Sequence, residues 1–186
     1  MNLIARAKAI LTTPRQEWGV IDTEPLDIGQ LLVGYVLPLA AIGPIANIIG
    51  WSLFGFGGLF RLSLGTAISH AIVMYIFAII GVFVLAWIIN ALAPSFGGTQ
   101  SMPQAIKLAA YSSTAAWVAG IFGIIPMLAI LAAIGGIYSL YLCYVGLPIL
   151  MKSPPDKTMI YFVVIIIAAI IIYAVIGMIT TRMMNF

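Results

Sequence analysis

Charged side chains are scarce in this sequence. Only thirteen of its 186 residues are Asp, Glu, Lys or Arg, and 63% are hydrophobic. Because a soluble domain is about a quarter charged, this composition excludes an ordinary globular protein, a disordered tail and a nucleic-acid-binding module, so no nucleic-acid partner is expected. No charged residue occurs within 28–60, 62–106, 108–151 or 158–181. A membrane-spanning helix needs about 20 apolar residues, so these stretches leave room for five spans and little else.

Cysteine and histidine occur only once each. With Cys143 alone, neither an intrachain disulfide nor a cysteine metal site can form. His70 has no acidic residue in its own segment, so hydration near a span end is one interpretation of it, and a proton-relay or ligand role is the other. No nucleophile–base pair or metal-ligand set can be assembled on one side of the membrane. We therefore predict that the protein is not an enzyme, has no catalytic residue and requires no cofactor or metal.

The pattern predicts an all-α polytopic membrane protein. A short interfacial amphipathic helix precedes five transmembrane helices, so residues 1–28 form an N-terminal cytoplasmic or interfacial segment and residues 29–180 form the five-helix membrane domain. The predicted spans are 29–50, 65–93, 105–123, 127–151 and 159–180. Small side chains are concentrated in the third span, which predicts close helix packing there.

Two segments are predicted to lie at the membrane interface. In residues 51–64, glycine and aromatic residues indicate a hairpin or short helix anchored by Trp51, Phe54 and Phe60. Before the first span, apolar side chains at helical spacing predict a helix that ends before Thr13–Pro14, because a residue that precedes proline avoids the helical conformation. The apolar face of this helix consists of Leu3, Ile4, Ala7, Ile10 and Leu11.

Basic side chains are distributed unevenly between the two sides of the membrane. Arg6 and Lys8 flank the apolar face of the N-terminal helix and are expected to extend toward lipid phosphates, unless this segment is a frayed tail. With five spans, the basic residues on the N-terminal side are Arg6, Lys8, Arg15, Lys107, Lys152 and Lys157. Arg61 and Arg182 lie on the other side. Because the cytoplasmic side carries the excess of Lys and Arg, we predict a cytoplasmic N-terminus and a periplasmic or extracellular C-terminus.

Four of the five acidic residues lie together, just before the first span. Glu17 and Glu24 are seven positions apart, so on a helix they share one face. Three interpretations stay open: an internal network with Lys107 and Lys152 as countercharges, a surface for a basic protein partner or lipid headgroups, and a metal site. Trp18 is expected to anchor this segment at the interface. The predicted partner- or lipid-binding residues are therefore Glu17, Trp18, Glu24, Lys107 and Lys152.

Three tyrosines supply further polar groups within the spans. Tyr111 belongs to the third span, whereas Tyr138 and Tyr144 belong to the fourth. Interhelical hydrogen bonding is the simpler interpretation of all three. The alternative is a pocket between spans three and four of a small-molecule or ion carrier, although the midplane charges and internal repeats that are typical of carriers are missing.

Three runs of this sequence are similar to motifs of the Yip family, the Ypt/Rab-interacting proteins. They are PRQEWGVIDTE at 14–24, AYSSTAAWVAG at 110–120 followed by Ile125–Pro126, and IYSLYLCYVGLP at 137–148. Their order and spacing extend the resemblance over about residues 5–180, and the chain looks like the compact bacterial inner-membrane members of YohC type. One difference is Ala115, where family members often have a proline after the threonine.

The resemblance implies five transmembrane helices, a cytoplasmic N-terminus and location in the bacterial inner membrane. Eukaryotic family members act in membrane trafficking and bind prenylated small GTPases through their cytoplasmic part. For this chain the resemblance implies a non-enzymatic membrane protein that binds a protein or lipid partner at its cytoplasmic face and contributes to membrane organisation or trafficking. Glu17 and Glu24 match acidic positions near the membrane in the family pattern. Membrane lipids, a cytoplasmic protein and a second copy of the chain are the expected partners.

Overall fold

Helices make up all the long elements of the structure. The computed structural model describes residues 2–55 and 62–184, and within these ranges it contains no strand. Five helices are long and apolar enough to cross a membrane. The predicted all-α polytopic fold with five transmembrane helices is therefore confirmed.

Two short helices precede five long ones. They are α1 at Leu3–Thr12 and α2 at Pro14–Thr23. The long helices are α3 (Ile28–Phe54), α4 (Leu64–Phe96), α5 (Met102–Ile124), α6 (Pro126–Leu150) and α7 (Pro155–Met184). The apolar span within α7 is Pro155–Ile172.

The two N-terminal helices are separated by a single residue and have well-defined ends. At the start of α1, the Asn2 side chain accepts a hydrogen bond of 3.1 Å from a backbone N–H of the first turn. Pro14 begins α2, where its missing N–H costs no helical hydrogen bond. Ala7 and Ile10 of α1 are buried, whereas Ile4 is 77% exposed. The helix ends where it was predicted to end, but its apolar face is divided between the bundle and the surroundings.

The first span is longer than predicted. A π turn at Gly50–Phe54 continues α3, so Trp51 and Phe54 lie on its last turn and not in a separate interfacial hairpin. Gly55 follows with a φ of 61°, a left-handed conformation that glycine adopts without strain and that ends the helix. Phe60, the third predicted anchor, lies outside the described residues.

The central helix of the bundle is α5. Within its most apolar stretch, 61% of the residues are buried, compared with 17–28% in the corresponding stretches of the other four spans. Small residues make this position possible, since Gly120 lies against Gly43 of α3, and Ala115 and Ala119 lie against Gly135 of α6. A Cβ atom on Gly120 would lie 2.8 Å from the Gly43 Cα atom, too close for any other residue. The predicted close packing of the third span is confirmed.

At one end of the bundle lie α1, α2 and two interhelical loops. The Thr99 N–H donates a hydrogen bond of 2.6 Å to the Met151 carbonyl oxygen, which joins the α4–α5 loop to the α6–α7 loop. Lys152 of the second loop pairs with Asp22 of α2 at 2.5 Å. These contacts place both loops beside α2. We call this end of the molecule the N-terminal side.

Candidate functional site

A polar cleft of about 550 Å³ opens on the N-terminal side. Its walls come from α1, α2 and the loop of residues 24–27, and the first turn of α3 together with Lys107 and Tyr111 of α5 completes it. The polar and charged side chains that line it are Asn2, Arg6, Glu17, Glu24, Asp27, Gln30, Lys107 and Tyr111. We call it the N-terminal cleft. It contains both glutamates of the predicted binding site.

Arg6 links the two glutamates. Its Nη1 atom donates to Glu17 Oε1 and its Nη2 atom donates to Glu24 Oε1. The side chains are 11% exposed for Arg6, 15% for Glu17 and 38% for Glu24, so the interaction is mostly shielded from solvent. A guanidinium group suits this arrangement because its planar fork presents several donors at fixed angles. Arg6 was predicted to extend toward lipid phosphates, and this prediction was wrong.

Both carboxylates act on the ionisation of Arg6. Burial of the guanidinium lowers the pKa of Arg6, but the hydrogen bond with Glu24 and the charges of Glu17 and Glu24 raise it by more. The net shift of the Arg6 pKa is upward. Arg6 therefore stays protonated at every physiological pH, and it holds one positive charge between two acidic side chains.

Neither Lys107 nor Lys152 forms an ion pair with Glu17 or Glu24. The Nζ atom of Lys107 donates to the carbonyl oxygens of Ile21 at 2.6 Å and Glu24 at 2.8 Å. These carbonyls belong to the C-terminal end of α2, where a cation is favourable because the helix leaves its last carbonyls without helical partners. Lys152 pairs with Asp22 instead. The predicted pairing of these lysines with Glu17 and Glu24 was therefore wrong, because Arg6 occupies the position between the carboxylates.

Trp18 joins α2 to α6. Its side chain is fully buried, and its Nε1 atom donates to the Leu142 carbonyl oxygen at 3.1 Å. The ring meets Tyr111 edge-on, with 6.4 Å between centroids. Gly146 leaves room for it, since a Cβ atom at that position would lie 2.6 Å from Trp18 Cε2. The prediction that Trp18 anchors the segment at the membrane interface was therefore wrong.

The three tyrosines do not line one pocket. Tyr111 lies in the N-terminal cleft, with its ring centroid 5.8 Å from the guanidinium carbon of Arg6. The Tyr138 hydroxyl donates to the Leu11 carbonyl oxygen at 2.7 Å and thereby ties α6 to α1. Tyr144 is 39% exposed and packs against Phe162 of α7. Their side chains have different neighbours, so the pocket predicted from them is not formed.

The charges of the N-terminal cleft do not balance. Three acidic side chains line it, Glu17, Glu24 and Asp27, and only two basic ones, Arg6 and Lys107. Asp27 is exposed, and its Oδ1 atom accepts a hydrogen bond of 2.9 Å from the Gln30 N–H at the start of α3. The accessible rim of the cleft is therefore acidic, and it is suited to a cationic group.

A metal site is not supported at this position. Throughout residues 2–55 and 62–184, no group of three or more His, Cys, Asp or Glu side chains is arranged to hold a metal ion. Glu17 and Glu24 are joined by the Arg6 guanidinium. The two carboxylates on which the metal hypothesis depended are thus part of an ion-pair network.

Sequence analysis missed two charged members of the cleft, Arg6 and Asp27. For Arg6, the available signal was the single residue, Thr13, between α1 and α2, because so short a link brings the two helices together and places Arg6 near Glu17. For Asp27, the signal was its position before a helix, where an aspartate caps the first turn. Neither signal reveals that both residues line the same cleft.

Comparison with known proteins gives one family. No curated protein and no solved structure matches the chain significantly. Residues 8–177 match the family profile of the Yip1 domain. This range includes α2, most of the five spans and the lining of the cleft except Asn2, Ala5 and Arg6. The chain therefore belongs to the Yip family of integral membrane proteins.

Proposed function

We propose that this protein is a non-enzymatic member of the Yip family that binds a cationic group of a partner in the N-terminal cleft, on the cytoplasmic face. Its role would be in membrane organisation or trafficking. The single observation that carries the proposal is the excess of carboxylates over cations in the cleft, with Glu24 and Asp27 accessible at the rim.

The ion pairs and hydrogen bonds inside the cleft favour a cationic ligand over an anionic one. Lys107 is directed to two backbone carbonyls, and Arg6 is shared between two glutamates. Neither cation is thus available to an anionic ligand without losing partners. A basic side chain of a protein and the ammonium group of a lipid headgroup both meet the requirement. Gln30 and Leu31 of α3 and Lys107 and Tyr111 of α5 line the cleft, so it extends from the N-terminal side into the bundle.

The cytoplasmic orientation is part of the proposal. The basic residues of α1, α2 and the two loops are concentrated on the N-terminal side, which favours the cytoplasm for that side. Arg61 and the side chain of Arg182, the two basic residues predicted on the other side, lie outside the described part of the chain. The resemblance to compact bacterial members supports location in the bacterial inner membrane.

Photo-crosslinking in native membranes tests the proposal. A photoreactive amino acid replaces Val20, which lines the cleft and is 49% exposed, or Gln16, which is exposed on the same helix but does not line it. Each replacement is combined with Glu24→Gln and Asp27→Asn. These changes remove the rim charges, while the amides can still bond Arg6 and cap α3. Mass spectrometry then identifies every adduct.

We expect a specific adduct from position 20 that is absent from position 16 and disappears when the rim is neutralised. A protein adduct, a lipid adduct or a crosslinked dimer would name the class of partner. Adducts that persist at full yield after neutralisation, or that form equally from both positions, would contradict the proposal.

The alternative function, a carrier with a pocket between the third and fourth spans, has lost its specific support. It depended on Tyr111, Tyr138 and Tyr144, which contact different parts of the molecule. We therefore do not propose transport.

A further inference from the structure

A second cavity lies within the bundle, away from the N-terminal cleft. It is a groove of about 440 Å³ between α4, α5, α6 and α7. The side chains that define it are Phe77, Trp117, Ser139, Cys143, Phe162 and Ile166. We call it the inner groove. Nothing in the proposed function uses it.

The inner groove lies at the depth of the bilayer centre. Ser112 is about three turns from the start of α5, and Cys143 is about two turns from the end of α6. Both helix ends are on the N-terminal side, so these residues are roughly 10–15 Å into the spans. The hydrocarbon core of a bilayer is about 30 Å thick. The surroundings of the groove are therefore lipid tails.

The lining of the inner groove is mostly apolar. No charged side chain is among the described residues that line it. The Ser113 hydroxyl donates to the Ala109 carbonyl oxygen at 2.8 Å, and the Ser139 hydroxyl accepts from the Ala116 N–H at 2.9 Å. Each of these two hydroxyls therefore has a hydrogen-bond partner within the protein. Water needs several polar partners to occupy a cavity, so the wall favours hydrocarbon over water.

The groove is open to its surroundings, and it has free space above Gly136. Met74 and Leu140, which belong to its lining, are 40% and 39% exposed, so the groove is not sealed. A Cβ atom on Gly136 would meet no atom within 4 Å, so free space lies directly above this glycine. An unfilled space of this kind deprives its lining of dispersion contacts, which a hydrocarbon chain restores.

We propose that the inner groove is a binding site for one acyl chain of a membrane phospholipid. The chain enters from the bilayer and lies against Trp117, Gly136 and Phe162, three residues from three different helices. The proposal is independent of the partner of the N-terminal cleft, because no residue lines both cavities. It assigns a bound lipid to the interior of the bundle in addition to the lipid around its outer surface.

Trp117 is a natural probe of this site. The full chain is reconstituted in phosphatidylcholine vesicles whose acyl chains carry bromine midway along, because bromine quenches tryptophan fluorescence on contact. The quenching of Trp117→Phe is subtracted from that of the unmodified protein, which isolates the contribution of Trp117. We expect a quenched Trp117 signal in the unmodified protein.

Two leucine substitutions separate the groove from the general lipid surface. Gly136→Leu fills the groove, since a Cβ atom there has no atom within 4 Å, and Ala91→Leu is its control, since Ala91 is exposed on α4 and does not line the groove. We expect the quenching of Trp117 to be lost in Gly136→Leu and retained in Ala91→Leu. An unquenched Trp117 in the unmodified protein, or equal quenching in the two variants, would overturn the proposal.

A second pair of variants covers the case in which Gly136→Leu does not fold. Ala169→Phe fills the groove from α7, and Ala174→Phe places the same side chain at an exposed position of the same helix. Loss of Trp117 quenching in the first variant alone supports the site. Retention in both variants refutes it.

Discussion

Arg6 of α1 forms an ion pair with Glu17 of α2, eleven positions further along the chain. The same guanidinium reaches Glu24 at the end of α2. One side chain thus holds the two N-terminal helices together and sets the charge of the N-terminal cleft. Of the four acidic residues that are clustered in the sequence, Glu17 and Glu24 surround this arginine, whereas Asp22 pairs with Lys152 and Asp27 caps α3.

Removing this arginine should destabilise the N-terminal side. Arg6→Ala leaves Glu17, which is only 15% exposed, without its partner. Breaking a fully buried pair costs about 3–5 kcal/mol and breaking an exposed pair costs about 0–1 kcal/mol, so we expect a loss on the order of 2 kcal/mol. The decrease in the apparent Tm of the variant in detergent, relative to the unmodified protein, reports this loss of stability. Arg6→Lys should recover only part of the loss, because an ammonium group lacks the planar fork, and an unchanged Tm for Arg6→Ala would contradict the bridging role.

The two lysines that sequence analysis treated alike should behave differently. Lys107→Met leaves the Ile21 and Glu24 carbonyls without their donor, which costs about 1–3 kcal/mol. Lys152→Met breaks an ion pair in which the lysine side chain is 53% exposed, so its effect should stay below about 1 kcal/mol. Denaturation of the two variants under identical conditions provides the comparison. Equal losses would show that burial does not distinguish the two sites.

The buried position of the Trp18 ring depends on the absence of a side chain at position 146. Gly146→Ala places a Cβ atom 2.6 Å from Trp18 Cε2 and 2.7 Å from Leu108 Cδ1. Such overpacking costs about 1–3 kcal/mol, and we expect a corresponding decrease in stability together with a shift in Trp18 fluorescence. Gly136→Ala is the control, because its Cβ atom meets nothing within 4 Å. Alanine by itself favours a helix over glycine, so the control should not lose stability, and a decrease of equal size there would contradict the Trp18 contact as the cause.

Orientation in the membrane can be measured with single cysteines. Cys143 is 4% exposed within a span, so the unmodified chain should not react with a membrane-impermeant maleimide. Thr12→Cys and Ser63→Cys introduce thiols at exposed positions of α1 and of the α3–α4 connection. In sealed right-side-out vesicles we expect labelling of Ser63→Cys alone. Labelling of Thr12→Cys before the vesicles are opened would reverse the proposed topology.

The positions of the spans were largely readable from local sequence, with one informative error. The four charge-free stretches contain almost all of the five long helices, because lipid offers no partner to backbone groups outside a helix. The error concerned the end of the first span, where glycine and aromatic residues after Gly50 were interpreted as a separate interfacial hairpin or short helix. Glycine weakens a helix only modestly, and α3 continues until Gly55 takes a positive φ.

Only some residues of the candidate site could be predicted from the sequence. Glu17, Glu24 and Lys107 were chosen from the sequence, and all three line the N-terminal cleft. Their partners were not predictable, because opposite charges on the same side of a membrane can pair in many ways. The choice of Arg6 follows from the packing of α1 on α2, which hydropathy does not describe.

By itself the sequence determined the class of the protein, the number of its spans and the excess of basic residues on one side. These properties follow from composition along the chain and from the cost of exposing backbone or charge to lipid, so no tertiary contact is needed to derive them. Only the tertiary structure decided that Trp18 is buried against α6, that Arg6 joins Glu17 to Glu24, and that a groove lies between four spans. These features depend on which helix faces are brought together, and that choice is made by close packing between residues far apart in the chain.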